Sequence, residues 1–198
     1  MFTGIIECQG TVEDVEVQES NKIFTIQSAI SKELKVDQSV SHDGVCLTVV
    51  EMSGSWHKVC AVQETLDRTS LNTWAPGNEI NLERCVPMGG RLDGHMVQGH
   101  VDALGKCTYV KDLNGSWDFG FSFDKSFAPL LVKKGSISIN GVSLTIVDVD
   151  SDSFSVAIIP YTYHHTGFKN LVPGSIVNLE FDIVGKYISR HLELGLIK

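Results

Sequence analysis

"DGVCLT" at residues 43–48 and "NGVSLT" at residues 140–145 are nearly the same phrase. Setting Ser39 against Ser136 carries the match without a gap from residues 39–83 onto 136–180. Gly44 and Gly141, Leu47 and Leu144, Thr48 and Thr145, Thr65 and Thr162, and Thr69 and Thr166 pair as identities. So do the Pro, Gly, Asn, Leu and Glu of "PGNEINLE" and "PGSIVNLE". A slightly shorter register pairs Gly4 with Gly99 and Gly10 with Gly105, in the openings "TGIIECQGTV" and "QGHVDALGKC". The chain is one unit written twice, and a repeat of this kind governs every local assignment made within it.

Each copy consists of short runs rich in Val, Ile, Thr and Phe, separated by Gly, Asp, Asn and Pro. "TIVDVDSDSFSVAII" is an example, two strands around a polar turn. Several such strands per copy suit a small closed barrel, which removes exposed sheet edges. Helix is scarce until "DIVGKYISRHLEL". There Val184, Ile188 and Leu192 recur at helical spacing with Tyr187 beside them, after Asp182 as an N-cap. So short a helix is marginal alone, so its apolar stripe needs a surface. Its own barrel and copies of the helix on other subunits are both open to it.

With 198 residues, 42% of them hydrophobic, the chain can bury a sizeable core. A net charge of −8 without clustered Lys and Arg argues against a polyanionic partner such as nucleic acid. The opening "MFTGIIECQG" has neither a basic region nor a long apolar run, and no later stretch approaches bilayer length, so a soluble, cytoplasmic protein is expected. Five cysteines (Cys8, Cys46, Cys60, Cys85 and Cys107), an odd count without C-x-x-C spacing, read as reduced thiols.

Strand alternation puts Val45, Leu47 and Val49 on one face and Cys46 and Thr48 on the other. The second copy does the same with Val142, Leu144 and Ile146 against Ser143 and Thr145. Each barrel would then present a small thiol or hydroxyl beside a threonine on its outer wall. Thr is common in strands and Cys packs as a small hydrophobe, so plain packing is the competing account, but recurrence in both copies favours a binding role. In "GHMVQGHVD", His95 and His100 are five positions apart: opposite sides of a strand, or about 140° apart on a helix, so a shared metal is not expected. His100 stands where the first copy has Ile5, a proton-transferring group that one copy alone offers, unless it is a strand histidine bonded to a carbonyl. Glu64 reads as a cross-strand partner and Glu83 as a solvated strand end. Phosphate-cradling, dinucleotide-binding and nucleophile-elbow motifs are missing.

Taken together, "MFTGIIE", "DGVCLTVV", "ETLDRTSL", "NLER", "GGRLDGHMVQGHVD", "NGVSLTIV", "IPYTYHHT" and "VNLEFD" resemble the riboflavin synthases of the alpha-chain type, in order and over almost the whole chain. Asp93 departs from the family, which often has Gly there. The resemblance implies an all-β fold of two tandem six-stranded Greek-key barrels at 1–95 and 96–182, each binding lumazine, with a C-terminal oligomerisation helix at 183–198. It implies a cytoplasmic homotrimer and a transferase that needs no cofactor or metal. It also implies dismutation of two 6,7-dimethyl-8-ribityllumazine molecules into riboflavin and 5-amino-6-(D-ribitylamino)uracil, the final step of riboflavin biosynthesis. Association with lumazine synthase is left open.

Carried over residue by residue, the resemblance implies a first pocket of Gly4, Ile5, Ile6, Cys46, Leu47, Thr48 and a strand over Cys60, Ala61, Val62, Gln63, Glu64 and Thr65. Ser39 lies near it and Phe2 flanks it. The second pocket takes Gly99, His100, Val101, Lys134, Ser143, Leu144, Thr145 and a strand over Ala157, Ile158, Ile159, Pro160, Tyr161 and Thr162, with Asp182 approaching. Ser39, Cys46, His100, Thr145, Asp182 and water would share the proton transfers, with a Cys46 thiolate as an acceptor the second pocket lacks. Two other classes compete. Lumazine-carrying antenna proteins have similar barrels and bind without catalysis, and the flavin-binding barrel of reductases would need a following nicotinamide domain.

Overall fold

The structure, a computed structural model, describes residues 1–196; the last two residues of the expected C-terminal segment lie outside them. The first copy supplies β1 (Cys8–Gln18), β2 (Asn21–Ser28), β3 (Ser39–His42), β4 (Val45–Ser53), β5 (Trp56–Ala61), α1 (Gln63–Arg68) and β6 (Glu79–Arg84). The second repeats the series as β7 (Ala103–Asp112), β8 (Trp117–Ser122), β9 (Ser136–Ile139), β10 (Val142–Val149), β11 (Ser153–Ile158), α2 (Pro160–His165) and β12 (Ile176–Phe181), followed by α3 (Ile183–Glu193). The strands close into two antiparallel six-stranded barrels, in the orders β1-β2-β5-β4-β3-β6 and β10-β11-β8-β7-β12-β9. Among the described residues no helix is long and apolar enough to cross a membrane.

Asp43-Gly44 and Asn140-Gly141 are the two-residue turns of the β3–β4 and β9–β10 hairpins. Their φ angles of 45° and 81°, and of 46° and 81°, are the pair of positive values that a type I′ turn demands. The two turns also meet. A Cβ on Gly44 would stand 2.7 Å from the Gly141 nitrogen, and one on Gly141 2.8 Å from the Gly44 nitrogen. Bulges at Val12/Asp14 and Val49/Glu51 recur at Cys107/Tyr109 and Ile146/Asp148, bending each barrel at equivalent places.

Around the meeting turns the barrels exchange polar contacts reciprocally. The Asn81 amide donates to the Asn140 carbonyl (2.9 Å), and the Asn178 amide donates to the Asp43 carbonyl (2.9 Å). Their side-chain oxygens accept from the nitrogens of Gly167 and Ser70, each 2.8 Å away in the other barrel. The two interiors differ. Barrel 2 is filled by Phe119, Phe121, Phe154, Phe168 and Phe181, whereas barrel 1 is mainly aliphatic around Phe24 and Trp74.

The strands expected to reach Thr65 and Thr162 stop at Ala61 and Ile158, and Gln63–Thr65 and Pro160–Thr162 are helical instead. Pro160 has no N–H for a neighbouring strand and fits a first helical turn, while Gln, Glu, Leu and Arg make α1 a run of good helix formers. Asp182 is the N-cap of α3, accepting from the Val184 nitrogen at 3.0 Å. The helix leaves Val184, Tyr187, Ile188 and Leu192 exposed.

Candidate active site

The β3–β4 hairpin sends Val45, Leu47 and Val49 into barrel 1 and turns half-buried Cys46 and exposed Thr48 outward. Its counterpart buries Val142 and Ile146, packs Leu144 partly against the barrel 2 core, and turns Ser143 and Thr145 outward. Leu47, Ala61 and Ile158, expected at the pockets, point into the cores, because they fall on the inward positions of their strands. Val62, Gln63, Thr145, Ala157, Ile159, Pro160 and Tyr161 are exposed, while Cys60 and Thr162 are half-buried.

What abuts each outward residue comes from the other copy. The Cys46 nitrogen donates to the Gly99 carbonyl at 2.8 Å, and the Ser143 nitrogen donates to the Gly4 carbonyl at 2.8 Å. Gly99 and Gly4 have φ of 80° and 77°, and a Cβ on them would lie 2.6 Å from the Cys46 Cβ and 2.5 Å from the Ser143 Cβ. Val101 packs against the core of barrel 1 and Ile6 against that of barrel 2. Between these crossings Phe2 and Val97, both fully buried, pair as an antiparallel bridge, and the Phe2 ring lies against Gly99. The structure groups these residues differently from the expectation. Gly99, His100 and Val101 belong with Cys46, whereas Gly4 and Ile6 belong with Ser143. Repeat matching assigns each opening to its own copy, but the two barrels meet so that the openings trade places.

Beside Cys46 a cavity of about 230 Å³ is lined by Val45, Glu64, Thr65, Arg68, Thr69, Gly99, His100 and Val101. Burial pushes the Cys46 thiol up, against the opposing pull of the Ser39 hydroxyl, so the expected thiolate acceptor is disfavoured. Ser39 and Ile5 line a separate cavity of about 660 Å³ with Thr3, Glu83 and Cys85. The counterparts of Ser39 and Cys85 on barrel 2, Ser136 and Asp182, line a groove of about 280 Å³ against α3. Lys134 sits in the turn before β9 at φ 69°.

Two kinds of residue escape a reading of the sequence. His95 Nδ1 lies 2.7 Å from the Ser143 hydroxyl, and its Nε2 is buried without a partner. Burial holds His95 below the usual histidine range while the Asp182 charge pulls the other way. Glu83 is not a solvated strand end. Its buried carboxylate accepts from the Thr3 nitrogen (2.6 Å), the Thr3 hydroxyl (2.7 Å) and the Gly4 nitrogen (2.9 Å). Glu180, its counterpart, accepts from the nitrogens of Gln98 (2.6 Å), Gly99 (2.8 Å) and His100 (2.8 Å). Burial pushes both carboxyls up while these donors oppose it. Glu64 is on exposed α1, paired with Arg68 at 3.6 Å rather than across strands. The equivalent positions on α2, Tyr161 and His165, stack at 4.1 Å. The signal for the glutamates was the Glu shared by "NLER" and "NLEF". Among the described residues no cluster of three or more His, Cys, Asp or Glu is set to hold a metal ion.

Residues 3–85 and again 98–182 match the lumazine binding domain, so fold and site define the class, a tandem of two such domains. A solved structure of LumP complexed with riboflavin shares this fold, with a TM-score of 0.85 at 23% identity over 91% of this chain and 99% of that one. Within the class, the chain belongs to the riboflavin synthase family. It is 38% identical to the riboflavin synthases of Actinobacillus pleuropneumoniae and of Bacillus subtilis strain 168, in each case over 97% of this chain and 90% of the relative.

Proposed function

We propose that this chain carries out the riboflavin synthase reaction. Two molecules of 6,7-dimethyl-8-ribityllumazine dismutate, one giving a four-carbon unit to the other, and the products are riboflavin and 5-amino-6-(D-ribitylamino)uracil. Two of the four transferred carbons become members of the new ring and two remain as its methyl groups. The two products together hold every atom of the two substrates, so the exchange needs no outside oxidant or reductant, and on this reading it needs no cofactor or metal. The observation that carries the reading is the doubled wall position. Cys46 and Ser143 occupy equivalent places, each abutted by a glycine of the other copy, but in different company, His100 in one case and His95 in the other. One substrate shape can be held twice and treated differently.

The first pocket is proposed as Cys46, Thr48, Thr65, Gly99, His100 and Val101, with Ser39 beside it. The second is proposed as Gly4, Ser143, Thr145, Tyr161 and Thr162, with Lys134 and Asp182 at its edge. Holding two heterocycles in reacting geometry can itself contribute about 7–11 kcal/mol toward the barrier, leaving His100, Ser39, Thr145, Asp182 and water only modest proton transfers between the C7 methyl of one lumazine and the nucleophile that adds to the other. The two barrels, divided at 1–95 and 96–182, supply one pocket each. The reacting pair forms where barrel 1 of one subunit meets barrel 2 of a neighbour, in a cytoplasmic homotrimer organised by the segment from residue 183 onward. The exposed Val184, Tyr187, Ile188 and Leu192 support that role for α3.

The test is incubation with 6,7-dimethyl-8-ribityllumazine as sole substrate. Riboflavin and the pyrimidine should appear in equal amounts, at a rate indifferent to a chelator. Tight binding without turnover would instead make the chain an antenna-type carrier.

A further inference from the structure

We infer that Glu180 and Glu83 are positioning residues, each holding the loop that completes the pocket on the opposite barrel. The inference rests on the proposed two-pocket reading. Glu180 belongs to β12, in barrel 2, and is almost wholly buried. Its carboxylate gathers three successive backbone N–H groups, those of Gln98, Gly99 and His100, none of which lies in a barrel strand. The loop so gathered presents the Gly99 carbonyl to the Cys46 nitrogen and places His100 at the cavity beside Cys46, both on barrel 1. Glu83, on β6 of barrel 1, does the same for Thr3 and Gly4, whose carbonyl reaches the Ser143 nitrogen of barrel 2.

An ionised carboxylate suits this task because it only accepts, and every group facing it donates. An amide of equal size turns one acceptor into an NH₂ that opposes a backbone N–H. The chemistry therefore requires Glu at both positions, where the outward wall residues tolerate Cys in one copy and Ser in the other. A change in one barrel should disable the pocket on the other, an effect that a merely local structural role does not produce.

Alkylation of Cys46 by iodoacetamide at mildly alkaline pH, located by peptide mass spectrometry, reports the first pocket, and added 6,7-dimethyl-8-ribityllumazine should slow it. Glu180→Gln should raise the lumazine needed for half-protection about tenfold or more, the loss of hydrogen bonds to a charged group, while Glu83→Gln leaves it unchanged. In a Ser143→Cys background the same reagent reports the second pocket, and the order reverses: Glu83→Gln weakens protection there and Glu180→Gln does not. Should the glutamine variants not fold, Glu180→Asp and Glu83→Asp, which keep the charge but draw it back by one methylene, are read in the same way. Wild-type protein without protection would remove the two-pocket reading itself. Protection in wild type that Glu180→Gln and Glu83→Gln, or their Asp substitutes, leave equal at both thiols, or weaken only in their own barrel, would overturn the positioning role.

Discussion

Cys46 and Ser143 set the outward faces of the two repeated hairpins apart, and the meaning of that difference turns on whether the thiol is ionised. Burial raises the Cys46 thiol, so near neutral pH it is a neutral donor much like the serine that replaces it in the other copy. Cys46→Ser should then leave kcat within about threefold of wild type. Removal of the imidazole in His100→Ala should lower kcat by roughly the 10²-fold low end of acid–base contributions. Steady-state kinetics on the two variants decide the matter, and a 10²-fold loss in Cys46→Ser would restore the thiolate as the proton acceptor. The outward placement of Cys46 was legible in the sequence because alternation is local. Its protonation state was not, because that depends on which segments cover it.

The elements of the two barrels are equivalent, but β3 and β5 carry a polar chain that β9 and β11 lack. His42 Nδ1 donates to the Val40 carbonyl (3.0 Å), and its Nε2 accepts from His57 Nε2 (2.9 Å). His57 Nδ1 in turn accepts from the Ser31 hydroxyl at 2.8 Å. Every group is satisfied only while both rings are neutral. Burial and the neighbouring ring hold His42 well below the usual histidine range, and burial does the same for His57. The equivalent positions in barrel 2 are Ile139 and Phe154. Above the unfolded histidine pKa of about 6.5 both states are neutral and the fold keeps its full stability. As pH falls below that value the unfolded chain takes up protons that the fold refuses, and stability drops until the folded pKa values are passed. Asp43, pushed up to about 7 by burial, acts in the opposite sense, as do Glu83 and Glu180. The prediction is therefore differential: between pH 7 and pH 5 the melting temperature of wild type should fall relative to that of His42→Ile/His57→Phe, which keeps all three carboxyls. Parallel melting curves across that window would mean that the histidines carry no acid sensitivity.

Across the full chain the repeat extends into the segment after each barrel. Beyond β6 the chain passes through Cys85, Val86 and Pro87 along the cavity that holds Ser39, and beyond β12 it enters α3 along the groove that holds Ser136. The number of barrels, the paired hairpins and the capped final helix could be read directly, because glycine turns, alternation and helix caps act over a few residues. The exchange of openings could not. It arises from contacts between residues far apart in the chain, Gly4 with Ser143 and Cys46 with Gly99, and two copies matched end to end give no hint of it. The same long-range pairing hid the purpose of Glu83 and Glu180, although their identity in both copies was visible.

On the proposed mechanism each chain offers two unlike pockets, and a reaction needs the first pocket of one subunit and the second of a neighbour. Gly99→Val should block the first pocket by crowding Cys46, and Gly4→Val the second by crowding Ser143. Each variant alone should bind one lumazine per chain and make no riboflavin. Co-expressed in equal amounts, they should form mixed trimers in which about a quarter of the interfaces join two intact pockets, restoring about a quarter of the wild-type rate per chain. A mixed preparation as inactive as its parents, with each parent still binding one lumazine, would show that the pockets do not complement one another across subunits.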